Sequence, residues 1–246
     1  MAKESLSYMD LAPQPPPDAP APPPGPEAIR SHRVMRRILV AGTLSIIGIL
    51  IAGMILIAVR RPHRGSSLTE ATSNMKSLHL AILEFDSDYG SFPDASTMAE
   101  IKATTSTTLP LGTTSSNEIF RQLMATTVRS ESAFWARTAI TPRKPDNNIS
   151  GGHALEKGEC AFAYIAGLSA SDDPATPIMM APVDPAGRCF ERTKDYGNKS
   201  VILFIDGSVK HLPVDKHGQV QLNGMDLFDP RQPFWKGKTP DIKWPE

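Results

Sequence analysis

Residues 67–90 read SLTEATSNMKSLHLAILEFDSDYG, and this stretch decides the fold of the region around it. Its first four residues match the capping box that opens a helix, because the Ser67 and Glu70 side chains can each bind a backbone N–H of the first turn. Apolar residues then recur every three or four positions, as on one face of a helix. These residues are Met75, Leu78, Ala81, Ile82 and Phe85. Gly90 suits a left-handed C-terminal cap, so the stretch predicts an amphipathic helix.

Upstream of this helix, residues 38–59 form an uncharged apolar run. At about 1.5 Å per residue the run is long enough to cross roughly 30 Å of hydrocarbon. Arginines and a proline follow it at positions 60–62, where a cleaved signal peptide would have a small-residue cleavage site. We therefore expect one uncleaved transmembrane helix. Gly48 and Ala52 lie four residues apart in it, a spacing that lets two helices approach closely, although incidental glycine and alanine content gives the same spacing.

This interpretation divides the chain into four segments. Residues 1–37 are proline-rich and are predicted to be a disordered cytoplasmic tail, either a passive spacer or a ligand for a partner with an aromatic groove. Residues 38–59 are the expected transmembrane helix, and residues 60–66 are a basic linker. Residues 67–246 are the expected soluble domain, which we place outside the cytoplasm because a short tail is the part more readily retained inside.

Within the soluble domain, helix signals come before strand signals. A second capping box at residues 115–118 begins a predicted helix, and a shorter helix is predicted at residues 95–102. Strands are predicted at residues 160–165, 177–183, 200–205 and 208–212, with a short strand at 219–222. Asp206-Gly207 lies between two of these strands and predicts a tight β-hairpin, because both residues tolerate positive φ. The last twenty residues are expected to be an extended tail that Trp235 and Trp244 pin to the domain.

The order of these elements resembles that of a known family. Residues 73–93, SNMKSLHLAILEFDSDYGSFP, resemble the helix end and Tyr-Gly-x-Phe-Pro exit of pseudopilin-like proteins from planctomycetes and verrucomicrobia. Residues 201–213, VILFIDGSVKHLP, resemble the Asp-Gly hairpin near the C termini of those proteins. The likeness to type II secretion pseudopilins and type IV pilins extends over most of residues 66–246.

The resemblance implies a fold and a location. The implied fold class is α+β: a single N-terminal transmembrane helix followed by a pilin-like soluble domain, in which a helix packs on a small antiparallel sheet. The implied location is the bacterial inner membrane, with the domain in the periplasm. Residues 38–59 lack the early glutamate of true prepilins, and Tyr196 stands where one branch of the family has histidine. Prepilin processing and membership in that branch are therefore not expected.

The sequence contains no specific catalytic pattern, and we expect neither enzymatic activity nor a cofactor. His211, Asp215 and His217 bring imidazole and carboxylate groups together, but their spacing matches no metal motif and favours a solvated loop. Three aspartates could supply oxygen ligands for calcium, although they lack an ordered calcium-loop pattern. These are Asp172, Asp173 and Asp184.

Two cysteines occur in the chain, Cys160 and Cys189. They are either a disulfide, if the compartment is oxidising, or two thiols that pack as small apolar side chains. Sequence leaves both alternatives open, since it does not show how close the two residues lie.

These observations favour a non-catalytic structural or accessory subunit of a type II secretion or type IV pilus-like apparatus. Its expected partners are the membrane and other subunits or a second copy, and association is expected to use the small residues of the anchor and the apolar helix face. These residues are Gly48, Ala52, Met75, Leu78, Ile82 and Phe85. The alternative is a membrane-tethered recognition or sensor module that uses a pilin-like scaffold without assembling. With 26 basic and 26 acidic residues, the chain has no net charge to attract nucleic acid.

Overall fold

The computed structural model describes residues 42, 43, 45, 47–49 and 66–246. The chain divides into two compact units, residues 1–61 and residues 62–246. The described residues of the first unit are helical, and Gly48 is exposed there. Ala52, the proline-rich residues 1–37 and linker residues 60–65 lie outside the described residues.

The predicted fold class is wrong in placing a transmembrane helix before the domain. Within the part of the chain that the structure describes, no helix is both long enough and apolar enough to span a bilayer. Most of the predicted span 38–59 lies outside the described residues.

Residues 66–246 form an α+β domain. Its described α-helices are α1 (Ser66–Tyr89), α2 (Met98–Thr105) and α3 (Ser116–Thr126). Its strands are β1 (Ala163–Ala166), β2 (Pro177–Ala181), β3 (Val183–Asp184), β4 (Cys189–Phe190), β5 (Lys199–Phe204), β6 (Val209–Pro213), β7 (Gln221–Leu222), β8 (Met225–Asp226) and β9 (Asp241–Lys243). Short 3₁₀ turns lie at Glu131–Phe134, Gly151–His153, Lys194–Tyr196 and Pro233–Trp235.

The predicted amphipathic helix is confirmed as α1. It ends at Tyr89, where Gly90 adopts a φ of 78° and its N–H donates to the Asp86 carbonyl at 2.7 Å. The second capping box is confirmed in part: the Ser115 hydroxyl accepts from the Glu118 N–H at 3.3 Å. The Glu118 carboxylate, however, accepts from the Thr114 N–H at 2.8 Å, one residue before the expected donor.

The structure corrects the expected use of the apolar face of α1. Met75, Leu78, Ile82 and Phe85 are each at most 1% exposed and lie in the main core of the domain. There they pack with apolar residues of α3 and of the central strands, so this chain itself covers the face. Association with another protein would have to use a different surface.

A five-stranded antiparallel sheet in the order β6-β5-β2-β1-β9 forms the centre of the domain. Side chains of the sheet alternate between two cores. Val201 and Leu203 of β5 face the main core, called the first core below, which also contains residues of α1. Ile202 and Phe204 face the second core, on the other side of the sheet. Both faces of the central strands are therefore buried, which explains why β2 is apolar without alternation.

The predicted Asp-Gly hairpin joins β5 to β6. The Gly207 N–H donates to the Phe204 carbonyl at 2.9 Å, and the Asp206 carboxylate accepts from the Ser208 N–H at 2.8 Å. Gly207 has a φ of 77°, and a Cβ placed there would lie 2.9 Å from the His79 ring. His79 is itself 8% exposed and its Nε2 lies 2.9 Å from the Ile205 carbonyl, so α1 docks directly against this turn.

The C-terminal segment covers the second face of the sheet. The expected pinning is confirmed: the Trp235 indole is buried and donates to the Leu227 carbonyl at 2.8 Å, and Trp244 packs against the same core. The expected extended tail did not include a strand, but residues Asp241–Lys243 form β9, which pairs with β1 and completes the sheet.

Candidate functional site

The prediction of one solvated loop is wrong for His211, which lies in a strand, and Asp215 serves local structure. His211 lies in the edge strand β6, with its Nε2 3.0 Å from the Thr72 hydroxyl of α1. Burial and the Lys199 charge lower the pKa of the His211 imidazole. The Asp215 carboxylate accepts from the N–H groups of His217 and Gln219 at 2.8 and 2.9 Å. This carboxylate therefore stabilises its own turn, and no step of chemistry follows from the arrangement.

The three aspartates considered for calcium also bind their own turns. The Asp172 carboxylate accepts from the Ser169 N–H at 2.9 Å, and the Asp173 carboxylate accepts from the Ala175 N–H at 2.9 Å. Asp184 lies on another hairpin and accepts from the Ala186 N–H at 3.1 Å. Among the described residues they do not form a group that could hold a metal ion.

The cysteines are free thiols, so the disulfide alternative is not realised in this structure. Cys160 is buried in the first core, where its thiol lies 3.6 Å from the Phe162 carbonyl. Burial raises the pKa of the Cys160 thiol to about 11. Burial, and then the charge of Asp184, raise the pKa of the Cys189 thiol as well. Neither thiol is activated as a nucleophile, because the thiolate is the reactive form.

Two surface pockets among the described residues are lined by cysteine, histidine or tyrosine side chains. A pocket of about 610 Å³ is lined by Leu68 of α1 and the turn at Lys194–Tyr196. Burial raises the pKa of the Tyr196 phenol, so this hydroxyl stays protonated. A smaller pocket of about 360 Å³ lies beside Cys189 and His217.

Buried polar side chains of α3 hold the loop that follows the Gly151–His153 turn. The Arg121 guanidinium donates to the Ala154 carbonyl at 2.8 Å and to the Leu155 carbonyl at 3.2 Å. The Asn117 amide donates to the Leu155 carbonyl at 3.0 Å. Since these donors match carbonyls that would otherwise be buried without partners, they fix the loop in one position.

One group of acidic side chains among the described residues could hold a metal ion. Each of Glu131, Asp146 and Glu159 offers one carboxylate oxygen, and the three oxygens lie within 4.8 Å of one another. Glu131 begins the first 3₁₀ turn, Asp146 lies in the following loop, and Glu159 precedes β1. Sequence reasoning missed this group because the residues are far apart in the chain and follow no metal-binding spacing.

A scan against protein-family models, a search of curated proteins and a search of solved structures each found no match to this chain.

Proposed function

We propose that this chain is a non-catalytic structural or accessory subunit of a secretion or pilus-like apparatus in the bacterial envelope. One observation carries the proposal: the long helix α1 precedes an antiparallel sheet, packs on its central strands, and meets the Asp-Gly turn between β5 and β6. The resemblance of the sequence to pseudopilins rests on this same order of elements. The proposal concerns the domain and does not require a membrane-spanning helix.

Two carboxyl groups of the domain whose pKa values are lowered serve local structure. Burial alone would raise the pKa of the Glu118 carboxyl, but hydrogen bonds from Thr114 outweigh burial and lower it. The Arg231 guanidinium, bound to the Asp229 carboxylate, lowers the pKa of that group to about 2. These two perturbed carboxyl groups therefore form part of a helix cap and a surface turn, where their charges stabilise structure.

Contact with other subunits would use the outer face of α1, since the inner face is buried. Leu80 lies on this outer face and is 69% exposed. Lys76 and Glu84, one turn away on either side, are exposed as well. Because Leu80 lies outside the core, a second protein could cover it without disturbing the packing of the free chain.

Site-specific photo-crosslinking in the native cells tests the proposal. A benzophenone amino acid replaces Leu80, and the same substitution at the exposed Ala103 of α2 is the matched control. We expect irradiation to give a ladder of products containing several copies of the chain from position 80, and little product from position 103. A single product with a different protein would favour the recognition or sensor module. Recovery of the uncrosslinked chain alone from position 80 would contradict both roles for this surface.

A further inference from the structure

We propose that Glu131, Asp146 and Glu159 form a binding site for a calcium ion. One carboxylate oxygen of each residue lies within 4.8 Å of the other two. Oxygens that bind one calcium ion at about 2.3–2.6 Å are separated by at most about 5 Å, so the spacing of this group is of the size that a single ion requires. The site belongs to the domain alone and is independent of whether the chain assembles with other subunits.

The Glu131 side chain provides a second observation that points to a ligand. Glu131 is 0% exposed, and its Oε1 accepts from the Leu155 N–H at 2.7 Å. Its Oε2 is buried and has no hydrogen-bond donor. A buried carboxylate oxygen without a partner is costly, and buried charges are ordinarily paired or bound to metals. A cation bound through Oε2 would supply the missing partner.

Among the described residues, no lysine or arginine forms an ion pair with these three carboxylates. Burial raises the pKa of the Glu131 carboxyl, and the charges of Glu159 and Asp146 also raise it, against the lowering effect of the backbone N–H groups of Leu155 and Asn147. The three groups therefore repel one another when ionised. A divalent cation would remove this repulsion because its charge attracts all three carboxylates. A single hydrogen-bond donor would bind only one of them.

The chemistry of the ligands favours calcium among divalent ions. Carboxylate oxygens are hard ligands, which suit calcium and magnesium better than zinc or copper. Magnesium demands a smaller and more regular octahedral shell than this open group provides. Asp146 is exposed while Glu131 is buried, so the ion can arrive from solvent and complete its shell with water.

The backbone around the site is already held in position. Arg121 and Asn117 fix the carbonyl of Leu155, whose N–H binds Glu131. On the other side, the Asn74 amide of α1 donates to the Trp135 carbonyl at 2.6 Å, just after the 3₁₀ turn that Glu131 begins. An ion at this position would join that turn, the Asp146 loop and the segment leading into β1. Calcium should therefore stabilise the domain by linking segments distant in sequence.

Calcium titration of the purified full chain, first stripped with EGTA, tests the site by isothermal calorimetry and thermal unfolding. With CaCl₂ up to about 5 mM, we expect saturable binding with a Kd between about 10⁻⁵ and 10⁻³ M. For a Kd near about 5 × 10⁻⁵ M, 5 mM calcium is about 100 times the Kd and the Tm should rise by about 5–10 °C, with a smaller rise for a weaker site. Absence of saturable binding in this range would overturn the proposal, and an equal response to MgCl₂ would overturn the assignment to calcium.

Three variants locate the binding. Glu131→Gln keeps an acceptor for the Leu155 N–H and should abolish the calcium response without unfolding the chain. Asp146→Asn changes an exposed side chain, so its fold should be retained, while loss of a ligand should raise the Kd by at least about 10-fold. Glu100→Gln removes the same charge from an exposed position of α2 and should bind like the wild type. Wild-type affinity in both Glu131→Gln and Asp146→Asn would place the ion elsewhere and refute the site.

Discussion

Replacing Ile82 by alanine should strongly destabilise the domain, whereas replacing Leu80 by alanine should not. Ile82 is 0% exposed in the first core, and Leu80, two residues away on the same helix, is 69% exposed. Ile82→Ala removes three buried carbon atoms, a loss of about 2.4 kcal/mol at roughly 0.8 kcal/mol per carbon. The cavity adds to this loss, so we expect a total of about 2–5 kcal/mol. Leu80→Ala should change the stability by no more than about 0.5 kcal/mol.

Urea unfolding of the two variants and the wild type, followed by tryptophan fluorescence, measures this difference. We expect a lower midpoint for Ile82→Ala with an unchanged m-value, because the surface exposed on unfolding hardly changes. Nearly equal losses in the two variants would refute the placement of this face against the sheet. A larger loss for Leu80→Ala would mean that α1 is rotated about its axis relative to the described packing.

Three further outcomes are expected. In urea unfolding, Gly207→Ala should lower the stability by about 1–3 kcal/mol, because the added Cβ would strain a positive φ and lie 2.9 Å from the His79 ring. Gly224→Ala is the control: its φ is 79° but the space around it is open, so it should lower the stability by only about 1 kcal/mol. Iodoacetamide should modify Cys189 in the folded chain and Cys160 only after denaturation, as read by peptide mass spectrometry, and faster labelling of Cys160 would contradict its burial. In EGTA, the wild type should lose stability relative to Glu131→Gln as the pH rises above about 4.5. The pKa of the Glu131 carboxyl is raised in the folded chain, so ionisation of this group favours the unfolded chain, and glutamine does not ionise. The two unfolding free energies are compared by urea titration at about pH 4 and pH 7, and a difference that stays constant or shifts in favour of the wild type as the pH rises would contradict the expectation.

The elements predicted well from the sequence are those defined by neighbouring residues. The periodicity of α1, its glycine cap, the Ser115 N-cap and the Asp206-Gly207 hairpin each depend on contacts within a few positions. Strand β9 was missed because three residues carry no readable period, and its pairing with β1 bridges a long sequence separation.

The partner of an apolar face is harder to predict than the face itself. Helical spacing showed that Met75 and Ile82 must be buried, but not whether this chain or another protein buries them. The Glu131, Asp146 and Glu159 group illustrates the same limit, because only the folded backbone brings these carboxylates within 4.8 Å. Likewise, the sequence positions of Cys160 and Cys189 do not show whether the two thiols lie close enough to form a disulfide, and only the fold shows that both are free.

The proposed role in an export or pilus-like apparatus is tested most directly in a strain of the native cells that lacks this chain. The measurement compares the proteins released to the medium and the appendages on the cell surface with those of the parent strain. We expect the deletion strain to lose a defined set of released proteins or surface appendages. The wild-type chain should restore that set, and a stably folded Leu80→Arg variant should not. An unchanged set of released proteins and surface appendages in the deletion strain would contradict the proposed function.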